Sequence, residues 1–174
     1  MNVKTDDIIN SYFDRKNILV NHQINSFDNL VDNIIPNIFS QFFPLCLDYN
    51  DNIIKKINLK ITDINIGQPF STENNGCSKL MTPNMAREKN SSYLLPIYIN
   101  FESEITICEN DSYITLEKKQ INNITFGKLP IIVNSKYCVL KRKGFEEECK
   151  YDPGGYAIIN GNEKVIISQE KIAN

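Results

Sequence analysis

The stretch YDPGGYAIINGNEKVIISQE, residues 151–170, decides the fold of the C-terminal part of the chain. Asn160-Gly161 lies between the apolar runs YAII and KVIIS, and both turn residues tolerate the positive φ that a two-residue hairpin turn requires. Gly154-Gly155 follows Pro153, which is typical of a tight turn leading into a strand. The stretch therefore predicts an antiparallel hairpin in which Gly154, Gly155, Asn160 and Gly161 have structural roles.

The second strand of this hairpin is predicted to continue through the run KVIIS. Its side chains would alternate between two faces, with Lys164, Ile166 and Ser168 on one face and Val165 and Ile167 on the other. A phosphate-binding loop is excluded, because such a loop leads into a helix and ends in Lys and Ser or Thr, whereas PGGY leads into a strand.

Period-two alternation of apolar residues predicts further strands. In SSYLLPIYINF, residues 91–101, one face carries Tyr93, Leu95, Ile97, Ile99 and Phe101. Residues 57–66 form another strand, in which the apolar positions change phase and predict a bulge near Thr62-Asp63. Weaker extended stretches follow at 104–108 and 112–117. Together these patterns indicate a meander of antiparallel strands.

A helical pattern precedes the strands. Apolar residues recur at spacings of three and four from His22 to Phe43, with Ser26 as a candidate N-cap. Pro36 lies inside this segment. We therefore expect a kink or two short helices, the second with Pro36 in its first turn, where the missing amide donor costs little.

The order of these elements predicts an α+β fold, with N-terminal helices followed by a mainly antiparallel sheet. One domain is expected over residues 1–174, made of an extension at 1–20, a helical segment at 22–43 and mainly strands at 53–174. Within the strand region, residues 67–79 are predicted to form a long polar loop. A short helix follows it, with Thr82 as N-cap and Pro83 at the first helical position.

Composition and charge exclude several classes of protein. The formal net charge is −2 at pH 7, which argues against a domain whose whole surface binds nucleic acid. No apolar run approaches the length needed to cross a bilayer, and acids stand where a signal peptide would be basic. The five cysteines are odd in number and scattered, which favours reduced thiols in an intracellular protein.

Few residues are candidates for chemistry. The only histidine, His22, has no cysteine pair or acid at a fixed spacing, so we expect a helix-start or surface histidine and no metal site. Cys138 and Cys149 could approach each other in space, but we expect two buried or half-buried thiols. The acidic run 146–148 and the basic run 141–143 are expected to be solvated, with phosphate contact as the alternative for the basic run.

Five stretches, in order, resemble the N-terminal region of the second-largest, beta-like subunit of multisubunit DNA-directed RNA polymerases. They are HQINSFDNLVDNIIPNIF (22–39), LKITDINIGQP (59–69), LMTPNMAREKNSSYLLPIYINF (80–101), GKLPIIVNSKYCVL (127–140) and CKYDPGGYAIINGNEKVIISQEKIAN (149–174). Several matches in one order are more specific than a single glycine pattern. The short loops and ITDINIGQP are most similar to versions encoded by large nucleocytoplasmic DNA viruses.

The resemblance implies a protrusion domain, which forms one wall above the DNA cleft, with the chain ending where a lobe domain would follow and the domain left incomplete at its C-terminus. It implies a part of a nucleotidyltransferase that transcribes DNA into RNA, although this segment alone is expected to lack catalytic activity. The implied partners are the largest subunit, which holds the catalytic Mg²⁺, the remaining polymerase subunits, the DNA template and the RNA–DNA hybrid. This segment is expected to bind no cofactor and no membrane.

The resemblance also places Lys164, Ile167 and Gln169 beside the path of the RNA–DNA hybrid. In the alternative, Ile167 packs in the sheet, and Lys164 and Gln169 are ordinary exposed strand residues. The implied location is intracellular: the host cytoplasm and the virion for a viral protein, otherwise the nucleus. Two other functions stay open, a stand-alone interaction module or inactive truncated remnant of such a subunit, and an independent thiol or hydrolytic enzyme.

Overall fold

A computed structural model describes residues 5–14, 17–51, 53–73, 76–109, 112–142, 149 and 151–172. The chain divides into two compact units. The first comprises Met1–Asn29, Phe70–Tyr93 and Pro130–Asn174, and the second comprises Leu30–Pro69 and Leu94–Leu129. The assignment of residues 1–174 to one protrusion-like domain stays a prediction.

Helices lie mainly in the N-terminal part of the chain, and strands follow. The helices are α1 (Thr5–Phe13), α2 (Asn21–Asn29), a π-helical turn (Leu30–Ile34), α3 (Ile35–Phe42), α4 (Pro83–Glu88) and a 3₁₀ turn (Val139–Lys141). The strands are β1 (Leu45–Asp51), β2 (Ile53–Ile66), β3 (Phe70–Thr72), β4 (Ser78–Leu80), β5 (Leu94–Glu109), β6 (Ser112–Pro130), β7 (Ala157–Ile159) and β8 (Asn162–Lys164). The pairs β1–β2, β2–β5, β3–β4 and β7–β8 are antiparallel, so the predicted α+β class is confirmed.

The second unit is built on a sheet with the strand order β1-β2-β5-β6. The weak extended stretches at 104–108 and 112–117 belong to its two longest strands, β5 and β6. Packed side chains of the helical segment include Val31, which is fully buried, and Phe39, whose ring meets Phe126 edge-to-face with 4.9 Å between centroids. Aromatic pairs of this geometry stabilise beyond their buried area.

The predicted bulge in β2 is confirmed. Ile61 lies opposite Phe101, the register then shifts, and Ile64 lies opposite Ile99. Phe101 and Ile99 are two residues apart on β5 and share a face, so Ile61 and Ile64 share the facing side of β2 despite their odd spacing. Thr62 is the extra residue, and it lines an apolar groove of about 510 Å³ within this unit, beside α3.

The helical pattern from His22 to Phe43 is confirmed, with two α-helices on either side of the π-helical turn and Pro36 in the first turn of α3. The N-cap prediction for Ser26 is wrong, because α2 begins at Asn21 and Ser26 lies inside it. The carbonyl of Val20 already accepts the amide of Ile24 at 3.2 Å, which closes the first turn before Ser26 is reached.

The segment between β2 and β5 contains more structure than a polar loop. Strands β3 and β4 form a short antiparallel hairpin within residues 70–80, so the prediction of a long polar loop over residues 67–79 is wrong. The N-cap of α4 is confirmed, because Thr82 Oγ1 accepts the amide of Met85 at 3.2 Å and Pro83 stands at the helix start.

The core of the first unit joins three distant segments by main-chain hydrogen bonds. The amide of Tyr93 donates to Ile158, the amide of Ile131 donates to Tyr93, each at 2.9 Å, and the amide of Val133 donates to Tyr156 at 2.8 Å. Tyr93, Ile131, Val133 and Ile158 are fully buried. These contacts bring the C-terminal hairpin against the residues that follow α4.

Candidate nucleic-acid interface

The turn before the C-terminal hairpin depends on two glycines. Gly154 has φ +73° and Gly155 has φ +84°, a region that strains residues with a Cβ atom. A Cβ at Gly154 would lie 2.5 Å from the carbonyl oxygen of Val133, and a Cβ at Gly155 would lie 2.6 Å from Val20 Cβ. The chain turns here only because both positions lack a side chain.

The predicted two-residue hairpin is confirmed between β7 and β8. Asn160 and Gly161 have φ values of 51° and 75°, and Ile159 pairs with Asn162 across the turn. The amide of Gly161 donates to the carbonyl of Ser91 at 2.9 Å, and a Cβ at Gly161 would lie 2.9 Å from Asn90 Cα. The tip of the hairpin therefore rests on the residues that follow α4.

A cluster of polar side chains joins this hairpin to α4. The Arg87 guanidinium donates from Nη2 to the hydroxyl of Tyr156 at 2.6 Å and from Nε to Glu163 Oε1 at 2.8 Å. The Tyr156 hydroxyl donates in turn to Asp152 Oδ2. Asp152 Oδ1 accepts the amide of Gly154 at 2.8 Å, so the cluster also holds the glycine turn. We call these residues, Arg87, Asp152, Tyr156 and Glu163, the arginine cluster.

The electrostatics of the arginine cluster keep its tyrosine neutral. Burial and the hydrogen bond to Asp152 raise the pKa of Tyr156, against a smaller opposing effect of Arg87. Arg87 also lies 4.0 Å from Asp152, and its side chain is 22% exposed, so water screens these interactions only in part. One cation therefore faces two carboxylates and a protonated phenol.

The three residues assigned to the hybrid path differ in their setting. Lys164 ends β8, whereas Ile167 and Gln169 lie beyond it in chain without regular secondary structure, and all three are exposed. Ile167 is 77% exposed, so the alternative in which it packs in the sheet is wrong. The neighbouring apolar side chains Val165 and Ile166 are exposed as well.

The predicted continuation of the second strand through KVIIS is wrong, because β8 ends at Lys164. Lys164 pairs with Ala157, the first residue of β7. The residue before Ala157, Tyr156, accepts the amide of Val133 with its carbonyl and does not continue the pairing with β8. Beyond β8, the side-chain amide of Gln23 donates to the carbonyl of Ile166.

The remaining candidates do not come together as a catalytic group. His22 is exposed in the first turn of α2. Cys138 is buried and Cys149 is exposed, so the expectation of a buried or half-buried thiol is wrong for Cys149. The Cys138 thiol accepts a hydrogen bond from the Tyr93 hydroxyl at 3.6 Å. Lys141 and Arg142 are exposed; residues 143–148 lie outside the described part of the chain. Among the described residues, no three His, Cys, Asp or Glu side chains are grouped as metal ligands.

Tyr93 is a buried titratable group that the sequence reasoning used only as an apolar residue. Its hydroxyl accepts the amide of Val139 at 3.0 Å and donates to Cys138. Burial, followed by the proximity of Cys138, raises the pKa of Tyr93.

In the described part of the chain, no helix has both the length and the apolar character needed to span a membrane.

The residues that form these elements match a known family. A family model described as RNA polymerase beta subunit matches residues 18–174. The chain belongs to this family. The match includes the helical segment, the bulged strand and the C-terminal hairpin, and it confirms the resemblance to the N-terminal part of the second-largest polymerase subunit.

Curated relatives of the chain include proteins from eukaryotes and from an archaeon. The chain is 30% identical over 183 residues to DNA-directed RNA polymerase II subunit 2 of Arabidopsis thaliana, and 34% identical over 178 residues to the subunit RPB2 of Encephalitozoon cuniculi. These alignments cover 95% and 96% of the chain, and 15% of each relative. The polymerase subunit Rpo2N of Methanococcus vannielii is 31% identical, with 95% of the chain and 32% of the relative covered.

Proposed function

We propose that this chain supplies the N-terminal, protrusion-like segment of the second-largest subunit of a DNA-directed RNA polymerase and frames the DNA cleft during transcription. The observation that carries the proposal is the family match over residues 18–174. Similarity over nearly the whole chain supports a shared architecture, which a single short motif would not. The lobe domain that follows in the family is expected beyond this segment.

Within that assembly, Lys164, Ile167 and Gln169 are proposed to lie beside the RNA–DNA hybrid. Their exposure supports this role, since side chains that meet nucleic acid must reach the surface. Lys164 offers a cation to a phosphate, and Gln169 offers donors to sugar or phosphate oxygens. The chain as a whole is acidic, with a formal net charge of −2, so contact with nucleic acid would be local.

Two cations of the sheet, Lys118 and Lys60, lie near the carboxylate of Glu102. Lys118 Nζ lies 2.8 Å from Glu102 Oε1, and this hydrogen bond raises the pKa of Lys118. Lys60, which lines the same shallow pocket, lies opposite Glu102 across the β2–β5 pair. Glu102 therefore offsets part of the positive charge of these two lysines, which makes them weaker candidates for contact with phosphate.

The chemistry of the assembled enzyme is proposed to be Mg²⁺-dependent nucleotidyl transfer, with the metal held by the largest subunit. This segment would bind no cofactor and would shape the cleft without touching the reacting atoms. Its partners would be the largest subunit, the other polymerase subunits, the DNA template and the hybrid. We further propose that the protein is viral, acts in the host cytoplasm and is packaged in the virion. The alternative is a polymerase subunit that acts in the nucleus.

Affinity purification from the source cell or virion tests the assembly. An antibody against the chain should recover it with a largest polymerase subunit, as identified by mass spectrometry after a denaturing gel. The calculated mass of this chain is 20.0 kDa, so a much larger band would indicate a longer subunit that contains it. A 20.0 kDa band recovered without any polymerase chain would contradict the proposal and favour the stand-alone module.

A further inference from the structure

Arg87 is the residue that connects the three parts of the hairpin region. It stands near the C-terminal end of α4, and its guanidinium reaches Tyr156 just before β7 and Glu163 within β8. Through Tyr156 it also reaches Asp152, which holds the glycine turn. All of these residues belong to the first compact unit. One side chain thus links β8, the residue that leads into β7 and the turn that precedes it.

The contacts require an arginine. Nε and Nη2 of one planar guanidinium donate at 2.8 Å and 2.6 Å to one acceptor in β8, Glu163, and to one just before β7, Tyr156. A lysine ammonium is a single point charge on a flexible stem and cannot present a rigid fork to both acceptors. The guanidinium also lies over the Tyr156 ring, 5.8 Å from its centroid, which fixes its plane further.

Glu163 and Lys164 are neighbours in β8, and successive side chains of a strand point to opposite faces. When Arg87 holds Glu163 on one face, Lys164 must project from the other. Rotation or slippage of β8 would move both side chains together. The position of Lys164 is therefore determined by a contact on the opposite side of the hairpin.

We propose that Arg87 is a positioning residue that sets the orientation of the nucleic-acid-facing side of the hairpin, acting through Glu163 and Tyr156 without touching nucleic acid itself. The expected effect of Arg87 on nucleic-acid binding rests on the proposed function, since Lys164 is the proposed contact. It rests on the geometry of the arginine cluster for its mechanism.

Hydrogen exchange of the purified 174-residue chain tests the mechanism without any nucleic acid. Arg87→Lys keeps the charge and removes the fork, and we expect amides of β7 and β8 to exchange at least about tenfold faster, as the loss of a charge-assisted hydrogen bond implies. The matched control is Lys118→Met, which removes an ion pair of the same 2.8 Å length in the other compact unit. It should leave exchange in β7 and β8 unchanged.

A double-mutant cycle tests whether Arg87 affects binding of an RNA–DNA hybrid through Lys164. The titrated ligand is a labelled 12-base-pair RNA–DNA hybrid, and the readout is fluorescence anisotropy at fixed salt. Arg87→Lys should weaken binding several-fold when Lys164 is present and have no effect in a Lys164→Met background, because the arginine acts only through that lysine. A merely structural arginine would weaken binding equally in both backgrounds.

The outcomes are distinct. Faster amide exchange confined to the hairpin, together with an effect of Arg87→Lys on binding that requires Lys164, supports the inference. Wild-type exchange in the Arg87→Lys hairpin, or faster exchange spread evenly over both compact units, overturns it. If no variant binds the hybrid while the hairpin is locally loosened, the nucleic-acid function fails and the positioning of the hairpin stands. If Arg87→Lys does not fold, Tyr156→Phe removes one of the two acceptors and gives the same comparison.

Discussion

Replacement of Gly155 by alanine tests a position where both a positive φ and a close neighbour disfavour a side chain. Its φ of +84° costs an alanine about 1–2 kcal/mol. The new Cβ would also lie 2.6 Å from Val20 Cβ, and overpacking of this kind typically costs about 1–3 kcal/mol. Because the clash is with a Cβ atom, no rotamer change of Val20 can relieve it. We expect the free energy of unfolding to fall by about 2–5 kcal/mol.

Alanine substitutions at two other glycines separate the cost of the positive φ from the cost of the close contact with Val20. A Cβ at Gly76 would meet no described atom within 4 Å, but φ is +81°, so Gly76→Ala should cost only the conformational share of about 1–2 kcal/mol. Gly127 has neither a positive φ nor a described atom within 4 Å of its Cβ position, and Gly127→Ala should be neutral or slightly stabilising. Urea denaturation followed by circular dichroism and tyrosine fluorescence measures all three. Equal losses for Gly155→Ala and Gly76→Ala would refute the close approach.

Three further outcomes follow from single side chains. The pKa of Tyr93 is raised in the folded chain. The stability that its neutral hydroxyl contributes should therefore be complete below about pH 10 and should decline by up to about 1.4 kcal/mol per pH unit above it. Tyr93→Phe should remove this decline when urea denaturation is measured at graded pH. Thr82→Ala should cost about 1 kcal/mol by loss of the N-cap, whereas Thr72→Ala, at an exposed strand position, should change stability by less than about 0.5 kcal/mol. Cys138 should react with a disulfide reagent far more slowly than Cys149, because it is buried; rapid reaction of Cys138 would revive an independent thiol enzyme.

Features encoded by neighbouring residues were predictable from the sequence. The bulge follows from the change of apolar phase at Thr62-Asp63, the start of α4 from Thr82 and Pro83, and the hairpin turn from Asn160-Gly161. Each depends on local backbone preferences or on side-chain periodicity over a few residues.

Features that depend on distant partners were not predictable. The arginine cluster joins Arg87 to residues 69 and 76 positions away, and no spacing rule connects them. The early end of β8 arises because Tyr156 pairs with Val133, a competition that the run KVIIS does not reveal. The short β3–β4 hairpin was missed because a polar composition conceals main-chain pairing.

The bulge in β2 has a consequence for insertions and deletions. Without Thr62, the sequence Leu59-Lys60-Ile61-Asp63-Ile64 would alternate perfectly between apolar and polar residues, so burial alone would favour a shorter, straighter strand. The extra residue therefore serves curvature, since a bulge bends and twists the strand that carries it. A chain lacking this one residue would still keep the half-buried Ile61 and Ile64 on one face of the strand and would present a differently shaped groove beside α3.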